Sequence, residues 1–362
     1  MISRTLRIAG LLCLFSTQIE AQTRVLNVYN WSDYIDMSVI EEFTRETGIK
    51  VVYDTYDSNE ALETKLFLGR TGYDIAVPSA TFLQRQIQAG IYQPLDRNKL
   101  KNYKNLSPEI MARLATYDPN NQFSVNYMWY TTGIAFNAQK VKARLGGEIL
   151  QSWGDIYKPE SLKKLADCGV YFLDSPEDML STAGRFLGLN PDLTNPADLK
   201  KAADVITRVK PFVKKFHSSE YINAIANGDI CLAVGWAGDS FQARTRALEA
   251  HNGIEIEYVI PKEGTLLSFD NLVILKDAPH VEEAYAFIDF LLRPEMAARN
   301  TNVTNYANAV PASQPYINKE ILDNKSIYPD QTIFDRLYAL KTKDAATQKN
   351  VTREWTRVKT GK

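Results

Sequence analysis

The sequence predicts an α/β protein with two lobes, and three observations support this prediction. The chain has 362 residues, more than one average domain contains, so two lobes with separate cores are expected. Short apolar runs alternate with segments whose apolar residues recur at helical spacing, which is typical of strand–helix units. No Gly/Ser-rich linker interrupts this alternation. We therefore expect crossing strands, rather than a flexible tether, to join the lobes.

Seven apolar runs are predicted as strands, at residues 25–29, 51–53, 73–77, 134–136, 170–173, 231–234 and 272–275. The clearest helical stripe stops before Pro294 and consists of Val281, Ala284, Tyr285, Ile288, Leu291 and Leu292. In open α/β sheets, ligands bind beyond the carboxyl ends of the strands. The residues that directly follow each run are therefore the best functional candidates.

The first 21 residues have the pattern of a secretory signal peptide. Arg4 and Arg7 precede a short apolar run at 8–15, and Ala21 provides a small residue for cleavage before Gln22. The apolar run is too short to span about 30 Å of hydrocarbon as an anchor. The sequence therefore predicts export of the mature chain through this segment.

Removal of that segment leaves two cysteines, Cys168 and Cys231. In an oxidising compartment an isolated pair is expected to form a disulfide, although two buried thiols remain the alternative. The spacing offers no Cys-x-x-Cys motif for redox chemistry or zinc.

Composition argues against several function classes. The chain has 42 basic and 43 acidic residues, for a formal net charge of −1, so no excess of positive charge favours nucleic acid. Three histidines and the absence of His-Glu-x-x-His, Gly-x-Ser-x-Gly and phosphate-binding glycine motifs predict no metal, no cofactor and no catalysis. An ester-hydrolase alternative rests on Gly238-Asp239-Ser240, but such hydrolases carry this block near the N-terminus, whereas here it lies deep in the chain.

Aromatic and acidic residues recur together after the predicted strands, at 30–34, 78–82, 174–178, 235–239 and 268–270. A carboxylate about 4 Å from an ammonium attracts it by roughly 4 kcal/mol at an effective dielectric of 20. An aromatic face adds about 0.5–2 kcal/mol. The pattern therefore suits an organic polycation. Each residue also has a structural alternative: Asp33, Ser79 and Asp239 as helix caps, and Trp31 and Trp236 as core residues.

Several longer segments resemble the periplasmic polyamine-binding proteins of ABC transporters, most closely the putrescine-binding type. They are VYNWSDYI at 28–35, YDIAVPS at 73–79, FHSSEYIN at 216–223, ANGDIC at 226–231, GWAGD at 235–239 and WTRVK at 355–359. The resemblance covers nearly the whole mature chain.

The resemblance implies the type II periplasmic binding fold, in which two lobes of mixed sheet and flanking helices are joined by two crossing strands at a hinge. It places 22–131 and 265–305 in the first lobe, and 132–264 and 306–362 in the second. It also implies a monomer in the periplasm that hands a polyamine to an ABC permease. Alternative functions are a polyamine sensor that reports to a membrane protein, or a receptor for another cationic solute.

Family contacts transfer residue by residue onto Trp31, Ser32, Asp33, Tyr34, Ser79, Asp178, Trp236, Asp239, Asp270 and Tyr306. Glu177 is an alternative to Asp178 as the ammonium ligand. The family disulfide also matches the two cysteines. At Ser268 the family usually has an aromatic residue, so this end of the pocket is expected to be wider, and putrescine, spermidine and agmatine are all candidates.

Overall fold

The computed structural model describes residues 24–147 and 149–361. The predicted signal peptide lies outside these residues. The strands of the described part are β1 Val25–Trp31, β2 Lys50–Tyr56, β3 Ile75–Ala76, β4 Ser124–Asn137, β5 Val170–Phe172, β6 Lys215–Phe216, β7 Leu232–Trp236, β8 Ile256–Val259, β9 Leu267–Ile274 and β10 Ala307–Asn308. Every run predicted as a strand contains at least part of one of them.

The α-helices of the described part are α1 Met37–Thr47, α2 Asn59–Phe67, α3 Ala80–Gln88, α4 Pro108–Leu114, α5 Ala138–Leu145, α6 Gly154–Tyr157, α7 Pro159–Leu162, α8 Pro176–Phe186, α9 Pro196–Val209, α10 Glu220–Ala226, α11 Ala237–Glu249, α12 Val281–Leu291, α13 Pro294–Thr304, α14 Lys319–Leu322, α15 Gln331–Phe334 and α16 Ala345–Thr360. Short 3-10 helices cover Arg97–Lys99, Tyr103–Asn105, Pro119–Asn121, Lys163–Cys168, Lys210–Phe212 and Pro311–Tyr316. None of the described helices is long and apolar enough to span a membrane.

Local chemistry explains where several helices begin and end. Asp36 caps α1 by accepting a hydrogen bond from the Ser38 amide, and Gly48 ends it at φ 71°, where a residue without Cβ is favoured. The stripe of α12 is buried as the periodicity predicts. Pro294 stops that stripe and starts α13, because proline fits the first turn of a helix.

The strands lie in the order β2-β1-β3-β9-β4-β7-β5-β6, with β8 and β10 also paired to β4. Strand β4 joins the two lobes: its residues up to Thr131 pair with β9, and its residues from Thr132 onward pair with β7 and β8. Each lobe contains parallel pairs, β1 with β2 and β3, and β5 with β6 and β7, beside antiparallel ones. The mixed sheets and two-lobed α/β fold agree with the prediction.

The C-terminal segment after residue 306, where the second lobe is predicted to resume, contacts several parts of the chain. Strand β10 pairs with Met128 and Trp129 of the first lobe. Farther on, the Leu340 carbonyl accepts a hydrogen bond from Tyr117, whereas the Lys341 amide donates to Asp192. Helix α16 then packs against α8 and α9. Residues after 306 therefore contact both predicted lobes: Tyr338 bonds Ser181, whereas Thr342 donates to the Thr81 carbonyl.

Cys168 and Cys231 form a disulfide, with their Cα atoms 5.4 Å apart. It ties the end of a 3-10 helix to the residue before β7. The predicted disulfide is therefore confirmed, and the alternative of two buried thiols is not observed.

Candidate functional site

The candidate site is a cavity between the lobes that consists of two adjoining chambers. The inner chamber is lined by Trp31, Ser32, Tyr34, Tyr56, Asp57, Tyr130, Ser218, Ser219, Ile222, Trp236, Asp239, Asp270 and Tyr306. The middle chamber shares several of these residues and adds Glu60, Ser79, Thr81, Asp174, Glu177, Asp178, Ser268 and Leu340, among others. Residues that follow β1, β3, β5 and β7 supply many of these side chains, as expected for strand ends.

The walls of the inner chamber are aromatic and come from both lobes. The Trp31 and Trp236 rings lie edge to face with centroids 5.7 Å apart, and the Tyr34 and Tyr306 rings are 4.6 Å apart. The Trp31 indole donates to the Val77 carbonyl at 2.9 Å, which fixes its orientation. Such faces attract an organic cation and also pack against methylene groups.

Asp270 lies at one end of this aromatic box and is 2% exposed. Its Oδ1 accepts a hydrogen bond from Ser79 Oγ at 2.6 Å, and its Oδ2 accepts one from the Tyr34 hydroxyl at 2.8 Å. Burial raises the pKa of the Asp270 carboxyl to about 7. Ser79 is the N-cap of α3 but makes no capping bond with its side chain, so its hydroxyl serves the carboxylate and not the helix.

Asp239 lies in the first turn of α11 and is 5% exposed. It does not cap that helix. Its two oxygens accept hydrogen bonds from the hydroxyls of Tyr306 at 2.7 Å and Tyr221 at 2.9 Å. Burial raises its pKa to about 7, although both hydrogen bonds act in the opposite direction. The N-terminal end of a helix also favours a negative charge there.

Asp178 is the third buried carboxylate, 6% exposed, at the start of α8. It accepts hydrogen bonds from Thr132, from Ser175 Oγ at 2.5 Å and from the Trp236 indole at 3.3 Å. Burial raises its pKa. The neighbouring Glu177 instead accepts from Thr81 at 2.6 Å.

Glu177 and Asp178, the two candidates for the ammonium ligand, differ in whether they have an ion-pair partner. Glu177 lies 3.9 Å from the Lys343 ammonium, so its charge already has a partner. Asp178, Asp239 and Asp270 form no ion pair with any described residue. Buried carboxylates without a cation are costly. This cavity is therefore electrostatically suited to a cationic guest.

The remaining predicted residues occupy different positions. Ser32 lines the inner chamber and donates to the Tyr56 carbonyl at 3.3 Å. Ser268 lines the middle chamber directly opposite Tyr130 in the β4–β9 pair. Because paired residues share one face of the sheet, an aromatic side chain at 268 would take up space beside Tyr130. The serine side chain takes up less of that space than an aromatic one would.

Asp33 is not brought into the cavity. Its backbone has a φ of 54°, and its carboxylate pairs with Arg246 of α11 at 2.8 Å. This contact crosses the cleft at its rim, as does the hydrogen bond between Thr81 and Glu177. The structure therefore places Asp33 among the contacts that hold the two lobes together over the chambers.

Sequence reasoning missed several residues that shape the site. Tyr130 and Thr132 lie where β4 crosses between the lobes, and nothing in their local sequence marks them. Tyr221 lies in the FHSSEYIN segment, which carries the family resemblance and could have drawn attention to it. Its hydrogen bond to Asp239 is apparent only in the folded structure. In the described part of the chain no group of three or more metal-ligating side chains is found.

Comparison with known proteins places this geometry in context. Residues 38–327 match the family model of the bacterial extracellular solute-binding proteins. The chain is 48% identical over 343 residues to the putrescine-binding periplasmic protein SpuD of Pseudomonas aeruginosa, covering 94% of each protein. It is 47% identical over 358 residues to the putrescine-binding periplasmic protein PotF of Escherichia coli, covering 98% of this chain and 97% of that protein.

A solved structure shows the same fold. A putative spermidine/putrescine ABC transporter protein from Listeria monocytogenes superposes with a TM-score of 0.84 at 33% identity, covering 94% of this chain and all of that one. The resemblance seen in the sequence is thereby confirmed. The chain belongs to the family of bacterial extracellular solute-binding proteins.

Proposed function

We propose that this protein captures a polyamine in the periplasm and delivers it to an ABC permease. The observation that carries the proposal is the set of three buried carboxylates, Asp178, Asp239 and Asp270, which have no cation partner among the described residues and face aromatic walls. A linear polyamine supplies ammonium groups for the carboxylates and methylenes for the aromatic faces. Its relatives are named as putrescine-binding and spermidine/putrescine-binding proteins, which supports the same ligand class.

The proposed contacts follow from the geometry. Asp239 and Asp270 bind ammonium groups in the inner chamber, where Trp31 and Trp236 enclose the methylene chain. Asp178 binds in the middle chamber, and it is preferred to Glu177 because Lys343 already balances that side chain. Ser32, Ser79, Tyr34 and Tyr306 complete the site by contacting the ligand or holding the carboxylates.

Delivery depends on closure of the two lobes. The ligand contacts residues of both lobes, so it stabilises the closed form over an open one by its differential affinity. We propose lobe boundaries at residues 131/132 and 264/265, where strand pairing changes lobe. In this proposal the protein is a monomer without catalytic activity and is exported through residues 1–21. The permease recognises its closed form.

Calorimetric titration tests the ligand class. The mature chain, residues 22–362, is unfolded, washed free of carried ligand and refolded. It is then titrated with putrescine, cadaverine, spermidine, spermine and agmatine. Tight one-to-one binding of at least one is expected. Lack of binding to all five would refute the polyamine proposal and leave only the family assignment.

A further inference from the structure

The cavity continues beyond the two chambers into an outer compartment between the lobes. This compartment is lined by α2 and its N-terminal loop on one side and by α16 on the other, with Asp57, Glu60, His217, Ser218 and Trp355 among its residues. Asp57 and Ser218 line the inner chamber, the middle chamber and the outer compartment alike. They therefore mark the junction at which the three spaces meet.

The Ser218 hydroxyl at this junction has no hydrogen-bond partner in the described part of the chain. The residue is only 6% exposed. A buried hydroxyl without a partner costs about 1–3 kcal/mol, so a native protein is expected to provide one. Because Ser218 lines every part of the cavity, a ligand that passes through the junction is the natural partner.

The charges around the junction indicate what kind of ligand group this is. Asp57 and Glu60 form no ion pair with any described residue. By contrast, Asp174 nearby is paired with Lys359 at 3.0 Å. Glu60 remains accessible to solvent in the cleft, yet the surrounding protein desolvates it enough to raise its pKa to about 7. The two unpaired acids favour a cation here.

The part of the middle chamber beside Glu177 is less suitable for a further cation. There Glu177 faces Lys343, whose side chain is only 5% exposed. A ligand ammonium placed beside Glu177 would meet that lysine charge in a poorly solvated region, where repulsion is weakly screened. In the outer compartment the lining lysine, Lys359, is already paired with Asp174 at 3.0 Å, which leaves Asp57 and Glu60 without an ion-pair partner among the described residues.

We propose that the outer compartment is a subsite for the terminal ammonium of a linear polyamine longer than a diamine, with Asp57 and Glu60 as its anionic partners. Ser218 accepts a hydrogen bond from the amine that passes the junction. This inference rests on the proposed function and extends it, because a diamine fills the aromatic box alone whereas a triamine reaches the outer acids.

Titration of single variants with putrescine and spermidine tests the subsite. Glu60→Gln and Ser218→Ala are each expected to weaken spermidine binding about five- to tenfold and to change putrescine binding less than twofold. The Ser218 variant alters no charge, so long-range electrostatics cannot produce its effect. Asp54→Asn is the matched charge control: Asp54 lines none of the three spaces and accepts a hydrogen bond from Tyr73, and its loss should affect neither ligand.

Any of three results would overturn the proposed subsite. Glu60→Gln could weaken the binding of putrescine and spermidine equally, or Asp54→Asn could weaken spermidine binding as much as Glu60→Gln does. The wild-type protein could also bind putrescine but not spermidine. The last result would leave the proposed function intact. Failure of the wild-type protein to bind either ligand would instead refute the proposed function, and the subsite with it.

Discussion

Asp239→Asn is the most informative single change in the proposed site. The wild-type carboxylate is buried, accepts hydrogen bonds from Tyr221 and Tyr306, and has no cation partner among the described residues. An ammonium about 4 Å away would gain roughly 4 kcal/mol from it at an effective dielectric of 20. Removing one partner of a buried pair costs about 3–5 kcal/mol, so we expect diamine affinity to fall by about 10²- to 10⁴-fold.

The same substitution should not damage the fold. Asparagine keeps one oxygen to accept from a tyrosine hydroxyl, and its amide group can donate to the other tyrosine oxygen. It also removes a buried negative charge that lacks a partner in the ligand-free protein. We therefore expect the ligand-free variant to unfold at a temperature no lower than the wild type at pH 8, as measured by circular dichroism.

Calorimetric titration with putrescine and spermidine gives the affinities. Asp33→Asn is the matched control, because it removes the same charge from the rim, where exposed ion pairs contribute about 0–1 kcal/mol and the loss should stay below about fivefold. An Asp239→Asn variant that binds as tightly as the wild type would refute the assignment of this carboxylate as an ammonium ligand. So would an Asp33→Asn variant with the larger loss.

Four further predictions concern pH, Trp236 and the disulfide. Burial raises the pKa values of Asp239 and Asp270 to about 7 in the ligand-free protein, whereas an ammonium group binds their ionised forms. Ligand affinity should therefore fall as pH drops through 7. Calorimetry in two buffers near pH 6.5 should detect the protons that are released on binding. The same raised pKa values mean that the folded protein holds these protons more tightly than the unfolded chain does, so the free energy of unfolding should fall as pH rises from about 4 to about 7. A ligand-free protein whose unfolding free energy rises between those pH values because of these two groups, as judged against the Asp239→Asn variant, would contradict this. Trp236→Ala should weaken binding about tenfold through lost cation–π and methylene contacts, while circular dichroism shows an intact fold; unchanged affinity would exclude Trp236 from the site. Replacing Cys168 and Cys231 by serine opens a loop with a sequence separation of 63, which should cost about 4 kcal/mol of unfolding free energy on the chain-entropy model; urea unfolding that shows no loss would contradict it.

Much of the fold was predictable because its signals are local. The apolar runs that became β1, β7 and β9 are short and bounded by polar residues, and the stripe of α12 repeats at helical spacing. These patterns reflect which side chains must leave water, and they need no knowledge of distant contacts. The pairing of β10 with β4 was not predictable, because it consists of only two residue pairs.

The candidate site was predictable in part for a related reason. Aromatic and acidic residues after strands are visible in the sequence, and strand ends meet in the cleft. Asp33 and Asp239 look alike by that criterion, since each follows a strand and an aromatic residue. Only the structure separates them, placing Asp239 between two tyrosine hydroxyls and Asp33 at the rim with Arg246.

The sequence by itself determined the two-lobed α/β class, the cysteine pair and the kinds of residue available for a cationic ligand. The tertiary structure decided which carboxylates are left without a partner, because that depends on contacts across the chain: Asp270 meets Tyr34 over a separation of 236 residues, and Glu177 meets Lys343 instead of solvent. Hydrophobic periodicity is a property of neighbouring residues, whereas the balance of charge in a buried cavity is set by every chain segment that reaches it. For that reason the cavity's need for a cation becomes visible only in the folded protein.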